Sequence, residues 1–163
     1  MTDQTQLAIE TLDAARTRGE TVATAESCTG GMVAANLTAI PGSSDVVIAG
    51  FVTYANSAKE HMLDVRAQTL RDFGAVSEET ALEMANGALT HSTADVAVSI
   101  TGIAGPGGSD HKPEGRVCFG LAIRGGDTAT TTLEFGALGR DQVRHRAAEF
   151  ALHCLRDRNM PAG

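Results

Sequence analysis

Short β-branched or apolar runs alternate along this chain with helical segments punctuated by glycine and proline, and that alternation leaves few folds open. Thr21–Ala25, Val46–Tyr54 and Asp95–Thr101 read as strands. Met32–Ile40, between the first two, reads as a helix that stops at Pro41-Gly42. Between the second and third stand two more helical pieces. Ser57–Leu63 begins just after Asn56, a good capping residue, and a longer helix starts from Ser77 with Glu78 and Glu79 in its first turn and Ala81, Leu82, Ala85 and Leu89 on its inner face. Strands joined through helices pair in parallel and carry the helices on the sheet faces.

The ends of the chain complete the pattern. Asp3 and Gln6 form a capping-box arrangement for a first helix that closes at Gly19. A loop from Gly102 to Gly115 leads into Val117–Ile123, and Gly125-Gly126 turns the chain into Thr128–Phe135, which reads as a hairpin. Asp141 opens a final helix in which Val143, Ala147, Phe150 and Cys154 recur with helical spacing. The expected fold is therefore α/β: a single domain over 1–163, built as a three-layer α/β/α sandwich around a mixed sheet of about five strands.

Composition removes several functions. The 163 residues suit one domain with a sizeable core, and at 42% hydrophobic and 20% charged they are neither disordered nor membrane-spanning, since Gly50 interrupts the apolar run Val46–Val52. A net charge of -7 gives no counterion-release term for a polyphosphate backbone, so nucleic acid is not an expected partner. Met1–Glu10 lacks the basic and apolar regions of a secretory signal, and three irregularly spaced cysteines do not form a disulfide framework. A cytoplasmic setting is expected.

Chemistry concentrates in the glycine-rich turns. Ser27 lies between a strand and a helix start, where the backbone N–H groups of Cys28, Thr29, Gly30 and Gly31 can face a developing oxyanion; equally, Ser27 or Thr29 can be an ordinary helix cap. Cys28 competes as a nucleophile, against the plainer role of a buried cysteine. In Tyr54-Ala-Asn-Ser-Ala-Lys59 a strand gives way to a helix, which lets Tyr54 and Lys59 project into one space; a desolvated lysine there can serve a serine as base, whereas an ordinary surface lysine cannot. Thr101-Gly102 opens a glycine-rich loop at the strand end where open α/β sheets place ligands, although the same loop can be a plain connection. Arg140 and Arg144, one turn apart, can bind phosphate or pair with Asp141. The five histidines are scattered without metal-ligand spacing, so neither a metal nor a cofactor is expected.

Taken in register, Ala25-Glu-Ser-Cys-Thr-Gly-Gly31, Pro41-Gly-Ser-Ser44, Gly50-Phe-Val-Thr-Tyr54, Ala58-Lys59, Gly74-Ala-Val-Ser77 and Ser99-Ile-Thr-Gly-Ile-Ala-Gly-Pro106 resemble the CinA C-terminal family from about Thr21 to Leu155. Stand-alone members of that family include nicotinamide mononucleotide deamidases. The resemblance implies metal-free hydrolysis of the nucleotide's carboxamide, with Ser27 as nucleophile, Lys59 as base, Tyr54, Thr101 and Arg140 in support, and a small nucleotide as the only ligand. A homo-oligomer, for preference a dimer, accompanies that expectation. The sequence departs from the family in the loop Gly107–Gly115, which is a residue shorter and carries Glu114, and at Arg116; Ser57 beside Lys59 is an alternative serine. The rival expectation is a nucleotide-binding or competence-linked regulatory module that keeps the fold without turnover.

Overall fold

The computed structural model describes residues 2–109 and 111–161. Five strands, β1 (Val22–Glu26), β2 (Val47–Val52), β3 (Val96–Gly102), β4 (Arg116–Ile123) and β5 (Thr128–Glu134), form one sheet in the order β2-β1-β3-β4-β5. β1 pairs in parallel with both β2 and β3, while β3, β4 and β5 are antiparallel neighbours, so the sheet is mixed. The chain leaves β1 for β2 on one side and then returns across β1 to β3 on the other. That reversal opens a crevice at the carboxyl ends of β1 and β3, the place where open α/β sheets bind ligands.

Alternation along the strands decides what covers each face. Val22, Val96, Val98, Ile100, Val117, Phe119 and Leu121 point to the face packed by α1 (Asp3–Arg18), α2 (Met32–Thr38) and α6 (Arg140–Asp157). The opposite face carries Ala23, Ala25, Ala97 and Ala122, with Ser99 and Gly120, and is covered by α3 (Asn56–Leu63), α4 (Ala67–Phe73) and α5 (Glu78–Thr90). These small residues let α5 settle close to the strands. A Cβ at Gly120 would stand 2.6 Å from the Ala81 carbonyl oxygen, and Ser99 Oγ donates to that same oxygen at 2.6 Å. The sandwich is therefore asymmetric: large side chains fill one layer, and backbone proximity replaces them in the other.

Several local expectations shift. The first helix is capped by Thr2, whose hydroxyl accepts from the Thr5 N–H, so Asp3 sits inside the first turn near the positive end of the helix. α3 likewise begins at Asn56, with Ala55 as a cap that makes no side-chain bond, and α6 begins at Arg140 after Gly139 rather than at Asp141. Ser77 does cap α5, accepting from the Thr80 N–H. α4 is an addition to the sequence reading: only Thr69 of its seven residues is buried, so it has no apolar stripe to betray it. It is held instead through Glu83, which accepts from the Thr69 hydroxyl at 2.5 Å and the Arg66 N–H at 2.9 Å.

Candidate active site

Ser27 is the first residue beyond β1, and its position is fixed by the sheet. Its N–H donates to the Ile100 carbonyl of β3 at 2.9 Å, while the preceding Glu26 carbonyl accepts from Thr53 N–H at 2.9 Å on the β2 side. The chain then turns sharply, with Gly30 N–H returning to the Ser27 carbonyl at 3.0 Å. Gly30 has φ 61° and Gly31 φ 104°, a left-handed pair that other residues adopt at a cost. Among the described residues, the N–H groups of Cys28, Thr29 and Gly31 donate to no protein acceptor.

Glu26 caps α2, a role neither Ser27 nor Thr29 takes. Strand parity puts its side chain on the α2 face, fully buried, where its carboxylate accepts from Val33 N–H at 2.9 Å and Ala34 N–H at 3.1 Å. A buried carboxylate is tolerable only when its oxygens are matched, and the orphan donors of a helix start match them.

Lys59 lies in the first turns of α3, and helical side chains lean toward the helix N-terminus, which here means back toward the end of β2. It is 1% exposed. Its Nζ lies 3.1 Å from Ser27 Oγ, 2.9 Å from the Thr53 carbonyl oxygen and 3.0 Å from that of Tyr54. No carboxylate pairs with it among the described residues. Burial therefore lowers its pKa from 10.5 to about 8, with a small opposing influence from Cys28. Cys28 is affected in the opposite sense: burial pushes its thiol up to about 12, which removes it as a thiolate nucleophile near neutral pH.

The three groups open onto a cavity of about 320 Å³, which includes Ser27, Cys28, Tyr54, Lys59, Thr101, Gly102 and Arg140 in its lining. That volume is at the small end of ligand sites. These seven of the residues singled out in the sequence are thus brought together, and Thr29, Gly30 and Gly31 are not. Thr29 is fully buried behind the turn, and Gly30 and Gly31 face away, against Arg144 and Val52 respectively. Thr101 is buried at the cavity wall with its hydroxyl donating to the Ala75 carbonyl at 2.7 Å. Tyr54 meets Lys59 through its carbonyl; its phenol, on a side chain of a residue 61% exposed, accepts from Arg140 at 2.9 Å. Arg140 also donates to the Gly105 carbonyl at 2.8 Å, so it spans the cavity mouth between the end of β2 and the glycine loop.

Of the other contributors, the glycine loop after Thr101 was legible in the sequence, and Asn56, Ala75 and Val76 were not singled out as site residues. Asn56, Ala75 and Val76 complete the wall, together with the loop Ile103–Ser109. Glu114 packs against Gly105, which leaves no room for a Cβ there. Asp110, in the same loop, lies outside the described residues. Arg144 makes no ion pair with Asp141 and instead donates to the carbonyls of Cys28 at 3.1 Å and Thr29 at 3.4 Å.

The chain resembles known proteins over nearly its whole length. The model of the CinA C-terminal domain matches residues 4–159. Nicotinamide-nucleotide amidohydrolase PncC of Escherichia coli strain K12 is 51% identical over 151 residues, covering 92% of this chain and 91% of that protein. A CinA-like protein of Kosmotoga olearia is 48% identical over 147 residues, which make up 90% of this chain and 35% of that longer protein. Among solved structures, the competence/damage inducible protein CihA from Agrobacterium tumefaciens has a TM-score of 0.93 at 46% identity, covering 98% of each chain.

Proposed function

This chain belongs to the CinA C-terminal domain family, and from that premise we propose that it is an amidohydrolase that converts nicotinamide mononucleotide to nicotinate mononucleotide and ammonia through Ser27 and Lys59. The observation that carries the reading is the environment of the Lys59 amine. A neutral amine has two N–H bonds and one lone pair. The Thr53 and Tyr54 carbonyls can only accept, so they engage the two N–H bonds and leave the lone pair facing Ser27 Oγ, 3.1 Å away. That is the arrangement a general base needs.

In the first step the Ser27 oxygen attacks the carboxamide carbon as its proton passes to Lys59. The ammonium so formed has three donors for the same three oxygens, so neither protonation state is left unsatisfied. The oxyanion faces free N–H groups of the turn after Ser27. Lys59 then returns its proton to the amide nitrogen, which leaves as ammonia, and a water activated by the same amine hydrolyses the ester to release nicotinate mononucleotide. No step is routed through a metal or a cofactor. Thr101 and Gly102 border the reacting end, while Arg140 and the glycine loop meet the phosphate end, where a guanidinium offers paired donors to charged oxygens. Tyr54 contributes its carbonyl to the dyad and its phenol to the placement of Arg140.

Among the described residues no helix is long and apolar enough to cross a membrane. The three cysteines are buried and unpaired, which fits a reducing compartment and makes the cytoplasm the proposed location. The deciding experiment is release of ammonia from nicotinamide mononucleotide by the purified protein and its Ser27→Ala variant. Turnover by the first and none by the second is expected; binding without turnover by both would favour a regulatory module.

A further inference from the structure

We infer that Arg144 is a positioning residue for the reaction: it fixes the peptide planes of the turn after Ser27 so that the Cys28 N–H, at the cavity wall, is aimed at the oxyanion. The inference rests on the amidohydrolase reading above and adds to it a residue that touches no substrate. α2 cannot provide the site on its own, because the N–H groups of Val33 and Ala34 at its start are occupied by Glu26. The free donors belong to the turn, and a turn containing two glycines has conformational freedom that a fixed donor geometry must restrain.

Planarity of the trans peptide supplies the link. C=O and N–H of one peptide unit point in opposite directions, so fixing the carbonyl aims the N–H. Arg144 Nε donates to the Cys28 carbonyl at 3.1 Å, which directs the Thr29 N–H away from α6. Its Nη2 reaches the Thr29 carbonyl at 3.4 Å, and the opposite edge of that unit is the Gly30 N–H, which donates to the Ser27 carbonyl at 3.0 Å. The Ser27 carbonyl in turn shares its plane with the Cys28 N–H. One guanidinium thus holds the carbonyls on both sides of Thr29 and, through the Gly30–Ser27 bond, sets the direction of the Cys28 N–H. Its charge beside those carbonyls also polarises the peptide units and makes their N–H groups stronger donors. Gly30 is part of the same device, since a Cβ there would stand 3.3 Å from Arg144 Nη2.

The test compares Arg144→Met and Arg144→Lys with wild type for ammonia release from nicotinamide mononucleotide, with thermal melting alongside. Because the oxyanion is present in the transition state and not in the bound amide, Arg144→Met is expected to lower kcat with KM nearly unchanged. The expected loss is about tenfold to a hundredfold, less than removal of an oxyanion donor outright. Arg144→Lys, which keeps a cation, is expected to fall between the two. Unchanged kcat in Arg144→Met, or a loss confined to KM, overturns the inference; if that variant melts below assay temperature, a wild-type kcat in Arg144→Lys does so. A second readout is independent of turnover: in Arg144→Met the amide resonances of Cys28 and Thr29 move while those of Val33 and Ala34 stay. Inactive wild-type protein would refute the amidohydrolase reading, and immobile Cys28 and Thr29 resonances would separately refute the positioning role.

Discussion

Lys59→Met should change how stability depends on pH in a way that isolates the buried amine. In wild type the pKa falls from 10.5 to about 8 on folding, so between those values the unfolded chain binds a proton that the folded one does not. Stability contributed by this residue therefore rises with pH across that window and is lowest below it, where folding must bury a charge. The whole difference corresponds to about 3 kcal/mol, of which about 2 kcal/mol is gained between pH 7 and pH 10. Methionine has a similar length and no charge. It also orphans the Thr53 and Tyr54 carbonyls, at a cost of about 1–3 kcal/mol each, but that loss is the same at every pH. The measurement is urea unfolding of both proteins at several pH values from 7 to 10, with the stability difference plotted against pH. Wild type should gain on the variant by about 2 kcal/mol as pH rises. Parallel curves would mean that Lys59 titrates normally, and the argument for a neutral base near physiological pH would fail with it.

Four further outcomes follow from the same geometry. Ser27→Ala should abolish ammonia release while Cys28→Ala retains most of it, measured by coupled ammonia assay; the reverse result would exchange their roles. Activity in wild type should climb with pH through about 8, because only the deprotonated amine is a base, and a flat pH–rate profile between 7 and 9 would contradict that. Arg140→Ala should weaken binding of nicotinamide mononucleotide by about tenfold or more and leave its dephosphorylated riboside nearly unaffected, by calorimetry on the Ser27→Ala background; equal losses would remove Arg140 from phosphate recognition. Gly120→Ala should destabilise the fold by about 1–3 kcal/mol in urea, since the added methyl meets the Ala81 carbonyl oxygen at 2.6 Å.

The layered architecture was legible because its signals are local. β-branched runs, the Ser77 cap and the spacing of Val143, Ala147 and Cys154 each act within a few residues, and the structure keeps all of them. What depends on distance was hidden. Glu26 caps a helix whose first residue is six positions further on, across a turn, whereas capping patterns look to the residue beside the helix. The alternation of Val22, Thr24 and Glu26 on one face was the one available signal. Lys59 goes against the usual exposure of lysine: the strand-to-helix spacing made it a candidate base with an ordinary surface lysine equally open, and the resemblance to a family favoured the base; the carbonyls that accommodate it are not a property of residue type at all. The spacing that placed Tyr54 beside Lys59 was informative about backbone and silent about which way the phenol would turn.

The engagement of Glu26 with α2 also imposes a direction on any nucleotide that enters. A free helix start attracts phosphate, and in many α/β proteins it is the anchor at this end of the sheet. Here that attraction is already satisfied internally by a carboxylate, so the start of α2 is closed to phosphate. For the substrate proposed above, with a neutral amide at one end and a phosphate at the other, this would favour one polarity: amide toward the strand ends, phosphate outward toward Arg140.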